Sequence, residues 1–365
     1  MPTSSAIDPA RQKPVAIWLF AVAALVAIMV LVGGATRLTE SGLSITEWAP
    51  VTGAIPPLSD AAWAAEFEKY KQIPEYELVN EGMSLAEFQF IYWWEWGHRF
   101  LGRVIGLAFA VPLIVFLLTK RVGGRDLPGL LGLFVLGGLQ GAVGWWMVAS
   151  GLVDRVDVSQ HRLAAHLGLA TLIFGALIWA GLGYARRSGL LAAPNGAGPA
   201  FAAPVSLALA AAVFGQIVLG AFVAGLRAGK GYNTWPLMDG YVVPTDYALG
   251  AAMFETIGGV QFNHRLGAYL VVAGALATAA AVWRTTKDLT ARRLSGAIAA
   301  IALAQTALGV WTVLNAAPIG LGLAHQAGAL ALFAVAVAFA ETARERRQVD
   351  SRGRGVVPAA EPARI

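Results

Sequence analysis

Cysteine is absent from all 365 residues. That absence excludes disulfides, thiolate metal sites, iron–sulfur clusters and covalently attached c-type haem. Charge is scarce too: Asp, Glu, Lys and Arg make up 13% of the chain, where soluble domains carry about 25%. Histidine occurs only five times. What the chain has instead is apolar residues, at 57%, the composition of a protein that lives in a bilayer.

Eight stretches reach the ~20 residues needed to cross a hydrocarbon core. They lie near 15–36, 90–118, 127–149, 160–184, 203–226, 257–283, 292–314 and 318–340. The first follows a short basic start, Arg11 and Lys13. It is too long for the apolar region of a signal peptide and no small-residue cleavage site follows, so it reads as retained. Loops after spans two, four and six, together with both termini, hold 17 Lys and Arg, and the opposite loops hold six. The positive-inside rule then puts both termini in the cytoplasm, as the even span count requires. In a bacterial cell that means a multi-pass protein of the inner membrane. The basic residues are topology signals, so nucleic acid is not an expected partner and membrane lipid is.

The expected organisation is a cytoplasmic N-terminus (1–14), a first four-helix bundle (15–185), a cytoplasmic Gly/Ala/Pro linker (186–202), a second bundle (203–341) and a disordered tail (342–365). Within the first bundle, the outer loop 37–89 holds most of the extramembrane residues. Its stretch Asp60 to Tyr70 reads as a short amphipathic helix on the outer membrane surface, with Trp63 and Phe67 facing lipid or protein.

The two halves repeat. Trp96-Gly-His98-Arg99 in span two answers Phe262-Asn-His264-Arg265 in span six, and Gln140 to Trp146 in span three answers Gln305 to Trp311 in span seven. Those offsets are 166 and 165 residues. Leu163 to His166 likewise answers Leu323 to His325, and Thr46-Glu-Trp-Ala-Pro50 answers Thr234-Trp-Pro236. Both halves have the same in/out sense, so the repeat is parallel, about an axis along the membrane normal. The fold class is therefore all-α: eight transmembrane helices forming two pseudo-twofold-related four-helix bundles.

Four of the five histidines, His98, His166, His264 and His325, fall within roughly the first two turns of even-numbered spans, all near the outer side. An ionisable side chain inside a bilayer costs about 2.5–3.5 kcal/mol on insertion scales, so it needs a partner or a role. The repeat pairs His98 with His166 and His264 with His325, on helices able to face each other across a bundle core. Zinc would want three or four protein ligands, and neither pair has a third. Two facing imidazoles suffice for haem iron, because the porphyrin supplies the other nitrogens. Gly97, Gly102, Gly106, Gly168, Gly267 and Gly328 flank the sites and would let a flat ring approach the backbone. Arg99 and Arg265 follow their histidines and suit charge-assisted contacts to haem propionates. His161 lies five residues before His166, roughly 140° away at about 100° per residue, and is read as a solvated, non-ligating side chain.

Glu95 precedes His98 by three residues, so both share one helical face. The repeat puts Phe262 at that register, with no nearby acid except Glu255. A buried carboxylate beside one porphyrin could move protons or stabilise a developing cation. One half would then perform chemistry while the other relays electrons.

These residues resemble the haem A synthase family, in its cysteine-free proteobacterial and mitochondrial subgroup. The likeness is carried by Gly34 to Trp48, Glu95-Trp-Gly-His-Arg99, Gln160 to Gly168 and Phe262-Asn-His-Arg265, and extends from about residue 15 to 341. The resemblance implies oxidation of the C8 methyl of haem O to a formyl group, giving haem A for cytochrome oxidase. It implies that His98 and His166 meet the substrate haem, that His264 and His325 hold a haem b cofactor, and that Glu95 is the essential acid. Haem O synthase and cytochrome oxidase assembly factors are the implied partners. Two other readings of the residues stay open: a bis-histidine dihaem cytochrome b that only carries electrons, and a haem exporter or chaperone. The glycine-rich face Gly132, Gly137, Gly138 and Gly141 could pack helices within a protomer or between protomers of a homo-oligomer.

Overall fold

The computed structural model describes residues 9–192, 199 and 201–354. Ten α-helices run through them: α1 (Pro9–Leu38), α2 (Asp60–Tyr70), α3 (Pro74–Leu78), α4 (Leu85–Leu118), α5 (Leu127–Val148), α6 (Gln160–Arg187), α7 (Ala202–Gly225), α8 (Ile257–Thr285), α9 (Leu289–Leu314) and α10 (Ile319–Arg354). Eight of them, all but α2 and α3, are long and apolar enough to cross a membrane. They correspond one for one to the eight expected spans.

The ends of the helices follow from their capping residues. Ser84 and Glu87 form a reciprocal capping box, with the Glu87 N–H donating to Ser84 Oγ at 3.3 Å and the Ser84 N–H to Glu87 Oε2 at 2.8 Å. Two orphan donors are thereby satisfied. This box starts α4 at Leu85, before the expected 90, and the extra residues project into the outer region. Asp288 caps α9 by accepting from the Ala291 N–H at 2.6 Å.

Helix contacts trace two rings. In the first, α1 touches α4 and α6, and α5 touches α4 and α6; in the second, α7 touches α8 and α10, and α9 touches α8 and α10. The histidine-bearing helices α4 and α6 are thus diagonal partners, as are α8 and α10. The rings join through α1, α6, α7 and α10. At this seam the small size of Gly175 matters: a Cβ there would stand 2.8 Å from the Phe333 ring. By contrast, Gly132, Gly137, Gly138 and Gly141 have no atom of another described element within 4 Å of their Cβ positions, so among the described residues nothing packs on that face of α5.

The segment between α1 and α4 forms a cap seated on α4. Helix α2 forms where expected, but its aromatic face turns to protein. Phe67 stacks on Phe88 at 4.9 Å, and Trp63 meets Tyr92 at 5.0 Å. Tyr70 and Phe88 are fully buried. Each such side chain contributes roughly 1.5–3 kcal/mol of transfer free energy, which suffices to hold the cap against the bundle.

Inside the cap, Glu75 is buried without a cation in hydrogen-bond reach; the Tyr70 hydroxyl donates to its Oε2 at 3.1 Å. Burial pushes the Glu75 carboxyl up to about 8, with the Tyr70 hydroxyl and the Arg227 charge pulling the other way and Glu95 and Asp157 adding to the rise. An acid whose pKa is higher folded than unfolded binds more protons in the native state. Its contribution to stability is complete below the unfolded value and is lost as pH climbs through the folded one. Protease resistance of the cap should therefore fall between pH 5 and pH 9, and Glu75→Gln should flatten that dependence. An unchanged slope in the variant would show that another group is responsible.

Helix α10 continues to Arg354, past residue 341, where a disordered tail was expected to begin. Ion pairs extend it: Arg186 Nη2 meets Glu341 Oε2 at 2.8 Å, and Arg346 pairs with Asp288. The remainder of that tail, 355–365, lies outside the described residues, as do 193–198 and 200 of the linker.

Candidate functional site

Three of the four histidines stand about two turns inside their helices: His166 in α6, His264 in α8 and His325 in α10. His98 is 13 residues into α4, because that helix starts early. All four rings are half-buried. In the second ring of helices, the His264 and His325 imidazoles face across the bundle with centroids 6.2 Å apart. Two imidazoles sit about that far apart when a metal lies between them with bonds of about 2 Å to each. In the first ring, His98 and His166 stand on the diagonal helices α4 and α6.

Each histidine leans on a glycine of an odd-numbered span. A Cβ on Gly33, Gly144, Gly220 or Gly309 would come within 2.8–3.2 Å of His98, His166, His264 or His325 respectively. Four residues before three of these glycines is a glutamine. Gln140 Nε2 lies 3.1 Å from His166 Nδ1 and donates to the His166 carbonyl at 3.0 Å. Gln216 repeats the pattern on His264 at 3.0 and 2.8 Å, and Gln305 on His325 at 3.1 and 2.6 Å. An amide beside Nδ1 fixes the orientation of the ring. Turned end for end, the amide would accept the proton that a metal-bound imidazole carries on Nδ1 but would give up its bond to the histidine carbonyl. The Oε1 atoms of Gln140 and Gln216 are buried with no partner in the present orientation.

Several flanking glycines serve these amides rather than an approaching ring. A Cβ on Gly267 would fall 2.2 Å from Gln216 Oε1, and one on Gly328 would fall 2.1 Å from Gln305 Oε1. Gly102 accommodates the Met29 methyl, and Gly168 packs near Val218 and Phe214. Only Gly97 and Gly106 border open space.

Glu95 is buried and tethered on both oxygens. Oε2 accepts from Ser44 Oγ at 2.7 Å and from the Ile45 N–H at 2.8 Å, while Oε1 accepts from Arg99 Nη2 at 2.6 Å. The loop that follows α1 thus carries the groups that hold the acid. The equivalent position in the other half is Gln261, since the offset of 166 residues that relates His98 to His264 also relates 95 to 261; Phe262 answers Trp96. Gln261 is equally buried, and its Oε1 accepts from Arg265 Nη2 at 2.8 Å. Its amide donates to the carbonyls of Ala228 and Gly231 at 2.9 and 2.7 Å. The halves therefore share one hydrogen-bonded frame, with a carboxylate in one and an uncharged isostere in the other.

Arg99 also reaches the carbonyls of Ile45 and Glu47, at 2.8 and 3.0 Å, and Arg103 reaches those of Ala49 and Pro50, both at 2.8 Å. Unpartnered buried donors remain on the same helices: Trp96 Nε1 and Arg103 Nη1 in α4, Asn263 Nδ2 and Arg265 Nη1 in α8. Facing imidazoles, amide supports and spare N–H donors near the outer end suit a porphyrin with two carboxylates. No cluster of three or more His, Cys, Asp or Glu suited to a bare metal ion occurs among the described residues.

His161 is exposed, with Nε2 2.7 Å from Glu255 Oε1, and Gln160 Nε2 donates to Glu255 Oε2 at 2.7 Å. Through Glu255, His161 and Gln160 join the two halves. A second junction is made by Arg227, which pairs with Glu40 at 2.5 Å and with Asp157 at 2.9 Å.

Ser44, Gln216, Gln261 and Met29 were not singled out from the sequence. A readable signal existed: Gln-x3-Gly recurs at 140/144, 216/220 and 305/309.

The COX15-CtaA family model, described as cytochrome oxidase assembly protein, matches residues 16–337. The chain is 54% identical over 345 residues to the haem A synthase of Parvibaculum lavamentivorans, covering 92% of this chain and 97% of that protein. It is 49% identical over 338 residues to the haem A synthase of Maricaulis maris (92% and 97% covered) and 50% identical over 343 residues to that of Azorhizobium caulinodans (92% and 96%).

Proposed function

The chain belongs to the COX15-CtaA family of cytochrome oxidase assembly proteins, and from that premise we propose that it is an oxidoreductase converting haem O to haem A. The observation that carries this reading is the difference between two otherwise matched frames, Glu95–Arg99 beside His98 and Gln261–Arg265 beside His264. A charged acid in only one half marks that half for chemistry.

In this reading His98 and His166 hold the substrate, haem O, with its C8 methyl towards Glu95. His264 and His325 hold a haem b, which when bound supplies electron transfer between the substrate site and an acceptor outside the chain. Glu95 holds negative charge next to the carbon being oxidised, or takes its proton, while Ser44, Ile45 and Arg99 keep the carboxylate from rotating away. Arg265 and Asn263, with free donors, would meet carboxylates of the cofactor, and Arg103 and Trp96 those of the substrate. Arg99 has its guanidinium committed to Glu95 and loop carbonyls, so its contribution is to position the acid. The two bundles, related by a pseudo-twofold axis, would sit in the inner membrane with both termini cytoplasmic. Haem O synthase would supply the substrate, and cytochrome oxidase or its assembly factors would receive the product.

The test is expression alongside a haem O source, followed by chromatography of the extracted pigments. Haem O and its formyl product should both appear with the purified protein. Haem b alone, at both sites, would identify an electron carrier and overturn the proposal.

A further inference from the structure

Of the four histidine cradles, one lacks its glutamine. The residue four before Gly33 is Met29, whose methyl packs on the Cβ position of Gly102, one turn beyond His98, at 3.3 Å. Gln216 packs on Gly267 and Gln305 on Gly328, each three residues beyond its histidine where Gly102 is four beyond. Met29 therefore keeps the packing of the cradle but offers no amide. Among the described residues, the His98 ring has no hydrogen-bond partner, while His166, His264 and His325 each have a glutamine.

This difference falls on one ligand of one pair. Amide support of Nδ1 holds an imidazole at the angle its metal bond requires and tunes its basicity, and loss of such a partner typically costs about 10–100-fold in metal affinity. His98 must find its orientation from packing, including that against Gly33. A permanently held cofactor needs both ligands fixed, as Gln216 and Gln305 fix theirs. A substrate that becomes a product needs one ligand that lets go.

We propose that Met29 is a positioning residue that makes His98 the releasable ligand of the first bundle, so that the haem held by His98 and His166 exchanges while that held by His264 and His325 stays. This rests on the assignment of the first bundle to the substrate. The histidine and the glycine it leans on are common to all four sites; the amide is what has been withdrawn at one.

The experiment follows haem transfer from the purified, haem-loaded protein to excess apomyoglobin, with each haem type identified as its pyridine haemochrome. In the unaltered protein haem O or haem A should leave fast and haem b slowly. Met29→Gln should slow the departure of haem O roughly 10–100-fold and leave the haem b rate unchanged; Met29→Leu, which has no donor either, should match the unaltered protein. The reciprocal variant Gln216→Met should speed the loss of haem b by a similar factor, which keeps the idea testable if Met29→Gln does not fold. Equal transfer rates for Met29→Gln and Met29→Leu, or no acceleration in Gln216→Met, would overturn the inference. A protein that binds no haem through these histidines would instead overturn the functional reading beneath it.

Discussion

Replacing Glu95 by Gln is expected to stop formyl production while leaving haem content and the bis-imidazole spectrum in place. The second bundle shows why the fold should tolerate the change. Gln261 occupies the corresponding position, accepts from Arg265 as Glu95 accepts from Arg99, and uses its amide on backbone carbonyls. Arg99 would also keep its bonds to the Ile45 and Glu47 carbonyls. What the substitution removes is the charge and the capacity to take a proton. Proton transfer by a positioned side chain contributes typically about 10²–10⁴-fold, so haem A formation should drop by at least about 100-fold. The check is the ratio of haem A to haem O in pigments extracted from the variant. A ratio within a fewfold of the unaltered protein would take Glu95 out of the mechanism.

Replacing His325 by Ala should have an effect of equal size by a different route. Without that ring His264 has no opposing imidazole at 6.2 Å, and the amide of Gln305 loses its Nδ1 contact. The haem b of the second bundle should be lost or become five-coordinate. The first bundle, whose His98 and His166 are untouched, should still take up haem O. Electrons taken from the haem O methyl beside Glu95 would then have no way out, so unoxidised haem O should accumulate on the protein with little or no haem A. Absorbance and pigment analysis of the same sample separate the two effects. Undiminished haem A would show that the second pair is not part of the electron path.

Much of this architecture was legible in the residue pattern. Eight apolar stretches, the basic loops and the repeat offsets led to eight spans in two sets, because length and hydrophobicity are what a bilayer selects. The four histidines stood out for the same reason: a polar group in an apolar segment is conspicuous. Their supports were less visible. Gln140 and Gln305 were noticed only as landmarks of the repeat, since a glutamine near the end of a span reads as ordinary until its amide is seen against a ring. Met29 is apolar within an apolar helix, and its meaning comes only from the three glutamines it replaces. The pairing of Glu95 with Ser44 and Ile45 depends on a loop folding back across 50 residues, which no local periodicity encodes. Gln261 was legible in principle, and an exact count of the repeat offset would have found it.

The haem inventory of the purified protein tests the central claim most directly. Near-infrared magnetic circular dichroism, combined with pyridine haemochrome quantification, counts bis-imidazole haems per chain. We expect two, one of which disappears when either His98 or His166 is replaced by Ala, and the other when either His264 or His325 is replaced. A single haem, or two whose ligation survives all four substitutions, would contradict the account.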